Sequence, residues 1–190
     1  MIILIRNLNF YAMRHSLIRY LSTTALLLVA IVCQAQSLGV FIHDNDGPFT
    51  NVRNNYKRGA VVDRIPTNCA AMLGIEHPVN GWWRIEGGSY TGLVDEYNDF
   101  ADVDLHGSTT GYWIHWSVIA VSTRNYGGEK LFLRKEPSEH AAVTYTFSEE
   151  TLLRPIDIRG DWVKVKTVDG RGTGWIESDW LCGNSVTNCC

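Results

Sequence analysis

The chain has 190 residues, of which 45% are hydrophobic, a length and composition typical of one folded domain or two small ones. Its 17 basic and 20 acidic residues give a formal charge of −3, so it lacks the basic surface of a non-specific nucleic-acid binder, and we expect no nucleic-acid partner. Aromatic residues make up 11% of the chain, and all seven tryptophans lie between Trp82 and Trp180. This concentration favours a small β-barrel with an aromatic surface.

The first 35 residues have the layout of a secretory signal peptide. After Met13, our preferred initiator, two arginines form a cationic segment, an apolar run spans Ala25–Cys33, and cleavage is expected after Ala35. The apolar run is 9 residues long, whereas a membrane helix needs about 20, so we expect no membrane span. Acylation of Cys33 is the disfavoured alternative, because Val32 rather than a small residue precedes it.

Export would leave an acidic protein with four cysteines. Without residues 1–35 the chain keeps 14 basic and 20 acidic residues, a formal charge of −6. Disulfides persist in an oxidising compartment, and Cys69, Cys182, Cys189 and Cys190 allow three pairings. We expect Cys182 to pair with one of the last two cysteines, Cys189 being the first choice, because the intervening loop is short and flexible. The cysteines lack CxxC spacing and a nearby His pair, so no metal site is expected.

The remaining chain is predicted to be all-β. Runs of β-branched and aromatic residues recur every 8 to 15 residues between Gly, Pro, Asn and Asp, which is typical of a β-sandwich or β-barrel. These runs are GAVVDRI, GWWRIEG, YWIHWSVIAV, AAVTYTF and DWVKVKTV. Helical periodicity is short and ends at Pro78, which argues against a parallel α/β enzyme fold. In the last run, alternation predicts that Val163, Val165 and Thr167 face a core.

Four sequence blocks occur twice in the same order. They are NVRN and FLRK, GAVVDRIP and AAVTYTFS, NGWWRIEG and RGDWVKVK, and YWIHWSVI and GWIESDWL. This alignment pairs Trp83 with Trp162 and Trp113 with Trp175. The two tryptophans are 30 residues apart in the first copy and 13 in the second, so the first copy carries an insertion of 17 residues. The duplication predicts two small domains whose cores both benefit from a shared interface.

The blocks of the second copy resemble the bacterial SH3 family, small β-barrels common on secreted and cell-wall-associated proteins. Between Lys130 and Cys182 the resemblance includes LR, GDWVKV, GRGTGWI and SDWL, while the first copy keeps NVR and GWWRI but departs by its insertion and by YWIHW. The resemblance implies an all-β protein with two small SH3-like β-barrels in tandem. The expected organisation is a signal peptide at 1–35, a first barrel at 36–120 with an insertion near 88–110, a linker at 121–129, a second barrel at 130–182 and a tail at 183–190.

No catalytic site or cofactor is expected. A Cys69 nucleophile could be drawn with His77 or His115, but no motif surrounds the cysteine. Secreted hydrolases that carry bacterial SH3 modules resemble two-part proteins with an added Cys–His peptidase domain, and the two copies leave no room for one. We therefore expect a non-enzymatic protein.

The candidate ligand contacts are aromatic and acidic. Neighbouring strand residues point to opposite faces, so only one of Trp82 and Trp83 can enter the same barrel core. The position of Trp180 resembles the tyrosine that lines the peptide groove of eukaryotic SH3 domains. The insertion adds rings and carboxylates, a combination that suits amines and sugar hydroxyls. The predicted ligand-binding residues are Trp82, Tyr90, Asp95, Asp99, Trp116 and Trp180.

Two alternatives to a binding surface stay open from the sequence. The tryptophans can fill the junction between the barrels, and the insertion can be a solvated acidic loop. The favoured function is recognition of a cell-envelope component, peptidoglycan or an envelope peptide, by a secreted or periplasmic protein, through the divergent first copy and its insertion. The alternative is a module that docks or regulates an envelope hydrolase through a flatter apolar patch.

Overall fold

Antiparallel strands form nearly all of the regular structure in the computed structural model, which describes residues 36–94, 99–187 and 189. Within these residues the helical elements are two single 3-10 turns, and no helix is long and apolar enough to cross a membrane. The predicted signal peptide lies outside the described residues. The strands are β1 (Leu38–Ile42), β2 (Phe49–Arg53), β3 (Val61–Pro66), β4 (Met72–Val79), β5 (Trp82–Ile85), β6 (Ser89–Leu93), β7 (Phe100–Asp104), β8 (Trp113–His115), β9 (Ile119–Thr123), β10 (Leu131–Arg134), β11 (Val143–Phe147), β12 (Leu152–Arg159), β13 (Trp162–Thr167), β14 (Thr173–Glu177) and β15 (Leu181–Cys182), with 3-10 turns at Trp116–Val118 and Ser178–Trp180.

The strand pairing of the first copy recurs in the second. In the first copy β2 pairs with β3 and β8, β5 pairs with β4 and β8, and β1 pairs with β4. In the second copy β10 pairs with β11 and β14, β13 pairs with β12 and β14, and β9 pairs with β12. The all-β prediction is confirmed, and the repeated blocks occupy matching strands.

The register supports one of the two predicted tryptophan equivalences. Trp113 on β8 lies opposite Arg53 on β2, and Trp175 on β14 lies opposite Arg134 on β10. The same residue types therefore meet at the same crossing in both copies. Their burial differs, because Trp175 is 3% exposed whereas Trp113 is half-buried.

The other equivalence, Trp83 with Trp162, is wrong by one residue. Trp82 is the first residue of β5, opposite His115 on β8, and Trp162 is the first residue of β13, opposite Glu177 on β14. Trp83 therefore corresponds to Val163, and both side chains are fully buried. The alignment had matched the glycines of the two preceding turns, which occupy different turn positions. A one-residue slip along a strand moves a side chain to the opposite face.

The insertion folds as an added hairpin. Strands β6 and β7 pair along their length, and Thr91 on β6 lies opposite Met72 on β4. The hairpin thus continues the edge of β4 beyond β5. In the second copy the same place holds only the short turn between β13 and β14, closed by a 2.9 Å bond from the Gly170 amide to the Thr167 carbonyl. Because the insertion lies at a turn, the flanking strands β5 and β8 still pair with each other, as β13 and β14 do in the second copy.

Strand β9 belongs to both copies. It pairs with β1 of the first copy and with β12 and β15 of the second, and Ile119, Ala120 and Val121 are fully buried. Residues 121–123, which the sequence had placed in a linker, are therefore part of the sheet. The described residues from Gln36 onward form one compact unit, in agreement with this shared strand.

Two polar side chains fasten the copies together. The buried indole of Trp83 donates a 3.0 Å hydrogen bond from Nε1 to the Pro155 carbonyl on β12. The Arg154 guanidinium donates to the carbonyls of Ser117 and, at 3.3 Å, Ile119. Trp83 thus fills the junction between the copies, one of the alternatives that the sequence left open, with its N–H paired.

The C-terminal tail is closed by a disulfide. Cys182 and Cys189 are bonded, with their Cα atoms 5.6 Å apart, which confirms the first-choice pairing. Cys69 is a buried free thiol. Cys190 lies outside the described residues.

Replacing Trp83 with Phe should destabilise the protein more than replacing its neighbour. We expect Trp83→Phe to lower the free energy of unfolding by about 2 to 4 kcal/mol, because it leaves a cavity and removes the donor to the Pro155 carbonyl. Trp82→Phe, at a half-exposed position, should cost about 1 kcal/mol or less. Urea denaturation measures both values, and equal losses would contradict a junction role for Trp83.

Candidate functional site

The second copy carries a groove with tryptophan walls. Trp162 begins β13 and Trp180 ends the second 3-10 turn, and each ring is half-buried. Beside them the Phe132 ring is 37% exposed on β10. The groove encloses about 370 Å³ and is lined by Lys130, Leu131, Phe132, Arg134, Glu139, His140, Trp162, Ile176, Glu177 and Trp180. This volume lies in the range of small-ligand sites, which combine apolar walls with a few polar groups.

Charges of both signs lie around the groove. Arg134 donates a 3.0 Å hydrogen bond from Nη1 to the Ala141 carbonyl, which holds the loop between β10 and β11. Its guanidinium carbon lies 5.7 Å from the centre of the Phe132 ring, within cation–π range. Glu139 and Glu177 provide acceptors in the same groove. The lining can therefore bind apolar, cationic and anionic parts of one ligand.

The groove continues past Trp180 into a second depression. This depression encloses about 420 Å³ and shares Glu177 and Trp180 with the groove. Its lining also includes Arg124, whose amide donates a 2.9 Å hydrogen bond to the Trp180 carbonyl. The pair of depressions suits an elongated ligand that passes over the Trp180 ring.

The matching face of the first copy holds an aromatic cluster instead. The Trp82 ring lies 5.1 Å from the His115 ring, and His115 lies 5.6 Å from the Trp116 ring. The Arg53 guanidinium carbon is 5.9 Å from the Trp82 ring, and its Nη1 donates to the Gly59 carbonyl at 2.7 Å. The predicted contacts Trp82 and Trp116 are thus brought together around one histidine.

His115 fixes the end of this cluster. Its Nδ1 accepts from the Ser117 amide at 3.4 Å and lies 2.8 Å from the Ser117 hydroxyl, so it caps the first 3-10 turn. Burial lowers the pKa of the imidazole, because the charged form is poorly solvated between the rings. Protonation at Nδ1 would also remove the acceptor that caps the turn. The cluster therefore favours neutral His115.

The predicted contacts in the insertion are dispersed. Tyr90 on β6 packs against the hydrophobic core, and burial raises the pKa of its hydroxyl. Asp99 is exposed immediately before β7, and Asp95 lies outside the described residues. The Asp102 carboxylate accepts a 2.6 Å bond from the Thr91 hydroxyl on the facing strand. The structure does not bring Tyr90 and Asp99 into either aromatic surface described above.

Cys69 has the properties of a structural thiol. Burial raises its pKa, which disfavours the nucleophilic thiolate. Its Sγ lies 3.1 Å from the Pro66 carbonyl and is positioned to donate to it. A buried site beside a carbonyl oxygen favours the neutral thiol, whereas a reactive cysteine needs positively charged neighbours that stabilise its thiolate.

Sequence reasoning found Trp180 but missed most of the groove. The alignment paired Trp162 with Trp83, whereas alternation along its own strand, with Val163 and Val165 facing the core, places Trp162 outside the core. Phe132 carried a usable signal, because it alternates with the buried residues Leu131 and Leu133 on β10. The approach of β10, β13 and the second 3-10 turn depends on tertiary pairing and left no local pattern.

Residues 129–181 match the family model described as bacterial SH3 domain. Comparison with curated proteins gives no match. Among solved structures, NlpC2 and NlpC1 from Trichomonas vaginalis are each 12% identical with a TM-score of 0.28, and the matches cover 77% and 78% of this chain. They cover 48% and 46% of those two chains, so this chain spans about half their length.

The buried His115 should make stability depend on pH. Its folded pKa lies below the unfolded value of 6.5, so the unfolded chain binds more protons and stability falls as the pH drops through that range. We expect His115→Gln to show a smaller loss of unfolding free energy between about pH 7.5 and pH 5 than the unsubstituted protein. Urea denaturation at several pH values measures this difference. Above about pH 7.5, where histidine is neutral in both states, the two curves should run parallel; equal losses below it would contradict the prediction.

Proposed function

Since residues 129–181 of this chain are a bacterial SH3 domain, we propose that the protein is a non-enzymatic binding protein for a cell-envelope component, specifically the peptide part of peptidoglycan. The observation that carries the proposal is the groove of the second copy, with Trp162 and Trp180 as walls. The ligand enters as an extended chain across Trp180 into the neighbouring depression.

The chemistry of the groove suits a short peptide with free charged groups. Indole faces pack on aliphatic side chains and exclude water, which stabilises contacts at the centre of a binding site. Lys130 and Arg134 can bind carboxylates, and Glu139 and Glu177 can bind ammonium groups. Stem peptides of peptidoglycan carry both kinds of group. The raised pKa of Cys69 supports a role in binding rather than in nucleophilic catalysis.

Tryptophan variants on the two copies test which surface binds. We expect Trp162→Ala and Trp180→Ala to weaken binding to purified peptidoglycan sacculi by about 1 to 3 kcal/mol, as truncation of aromatic anchors does. Trp82→Ala and Trp116→Ala, on the first copy, are the matched controls and should leave binding unchanged. Co-sedimentation with sacculi gives the affinities, and thermal unfolding of each variant separates lost binding from lost folding.

The same variants test the competing functions. Loss of binding with Trp82→Ala or Trp116→Ala alone would move the ligand to the first copy, as the sequence had favoured. No binding to sacculi by the unsubstituted protein, together with capture of an envelope hydrolase from an extract, would replace the proposal with protein docking.

Export to the periplasm or the exterior is part of this proposal and rests on the layout of residues 1–35. The mature protein should begin near Gln36, because cleavage is expected after Ala35. Intact-mass measurement of the protein recovered from the extracytoplasmic fraction checks this. A mass that includes Met1 or Met13 as the first residue would contradict export by cleavage.

A further inference from the structure

A second cleft lies in the first copy, where the insertion meets β5. It encloses about 340 Å³, and its lining includes Glu76, Arg84, Gly88, Gly111 and Tyr112. The cleft lies apart from the groove of the second copy, since the two share no lining residue. Its most distinctive feature is the pair Glu76 and Arg84, which lie opposite each other on the adjacent strands β4 and β5 and line the cleft.

The charges of this cleft are only loosely paired. Arg84 Nε lies 3.9 Å from Glu76 Oε1, longer than the 2.7 to 2.9 Å of a charge-assisted hydrogen bond. The Glu76 side chain is 17% exposed and that of Arg84 is 48% exposed. His77 Nδ1 lies 3.4 Å from the same Glu76 oxygen. Within the described residues, these ion pairs are the polar contacts of the Arg84 and Glu76 side chains. The terminal nitrogens of Arg84 are therefore available to donate hydrogen bonds to a ligand, and Oε2 of Glu76 is available to accept one.

Glycines keep the cleft open on the insertion side. Gly88 and Gly111 have φ angles of +69° and +106°, a region that disfavours other residues. A Cβ at Gly111 would lie 3.3 Å from Arg84 Nε, and one at Gly88 would lie 3.0 Å from the Tyr112 ring. The Tyr112 ring is fixed as a wall by a 2.7 Å hydrogen bond from its hydroxyl to the Leu105 carbonyl.

The matching position of the second copy is arranged differently. Lys164 occupies the position of Arg84, since each lies opposite the matching tryptophan, Trp175 or Trp113. The facing residue Asp157 is instead paired with Arg159 at 3.5 Å. The segment that supplies Gly88 and the neighbouring wall belongs to the insertion. Among the described residues, the walls that the insertion adds around Arg84 and Glu76 therefore have no counterpart at the matching position of the second copy.

We propose that this cleft binds an α-amino-acid zwitterion, with the ligand carboxylate on Arg84 and the ligand ammonium on Glu76. Such a group carries opposite charges on one carbon, which matches an acid and a base 3.9 Å apart. A lone anion or cation would add a charged contact to only one member of the Arg84–Glu76 pair, whereas the zwitterion adds one to each. The same zwitterion occurs in a free amino acid and at the end of an amino-acid side chain in a larger peptide. The proposal is independent of the groove and of its ligand.

Titration with small probes tests the charge requirement. We expect alanine to shift the amide resonances of Gly88 and Gly111 and the Arg84 Nε–H signal in ¹H–¹⁵N spectra of the full chain. N-acetylalanine lacks the ammonium group and alaninamide lacks the carboxylate, so each should bind about tenfold more weakly or worse. Nε-acetyl-lysine presents the zwitterion on an extended amide arm. If Nε-acetyl-lysine binds more tightly than alanine, the ligand is the zwitterion at the end of a larger chain. If the two bind equally, the ligand is the free amino acid.

Charge-removing variants locate the site. Arg84→Gln and Glu76→Gln should each weaken alanine binding by about tenfold or more, because each removes one charge-assisted contact. Lys164→Gln, the matched position in the second copy, and Trp162→Ala, in the groove, should leave alanine binding unchanged. No shift at millimolar alanine, or equal shifts with N-acetylalanine and in the Arg84→Gln variant, would overturn the proposal. Loss of sacculus binding in Trp162→Ala with alanine binding intact would separate this site from the proposed function.

Discussion

The fold depends on one strand that serves two β-structures at once. Strand β9 pairs with β1 through Ile119 and Ala120, and with β12 through Val121 and Ser122. Thr123 extends the pairing to β15. Each copy is near the size at which an independent core becomes marginal, and a strand buried in both gives each copy more apolar contact than its own length supplies. The cost is that neither copy retains a complete set of strand partners without the other.

This shared strand decides which tryptophans face outward. Because β9 brings β12 against the first copy, Trp83 is buried and needs a hydrogen-bond partner, which the Pro155 carbonyl provides. Trp82 and Trp162 point the other way along matching strands. Each copy therefore has an aromatic face at the matching position of its sheet. They diverged at the following turn, where Trp116 joins the His115 cluster in the first copy and Trp180 lines an open groove in the second.

Local patterns in the sequence predicted the strands, the repeat, the insertion and the disulfide, because each follows from composition or spacing. Register did not follow, since matching glycines of two differently placed turns shifted Trp162 onto the position of Trp83, and one residue exchanges the faces of a strand. Residues 121–123 fell in the predicted linker because they lie between the two repeated copies, which the sequence placed at 36–120 and 130–182. Thr123 is nevertheless fully buried, and its hydroxyl accepts a 2.9 Å hydrogen bond from the Thr151 amide, a partner distant in sequence that only the folded chain supplies. The two clefts form between segments distant in sequence and had no local signature.

The position of the insertion explains how the first copy could gain a cleft without losing its fold. In the second copy the β13–β14 turn is tightly closed, and hydrogen bonds from the Arg171 amide and the Thr167 hydroxyl lower the pKa of Asp169 to about 2. Replacing such a turn with a hairpin costs little loop-closure entropy, because that entropy grows slowly with loop length. The added strands extend the edge of β4, on the side of the first copy away from its pairing with β1 and thereby from β9. New walls around Arg84 and Glu76 therefore arise where the core, the Trp83 hydrogen bond and the shared strand are left unchanged.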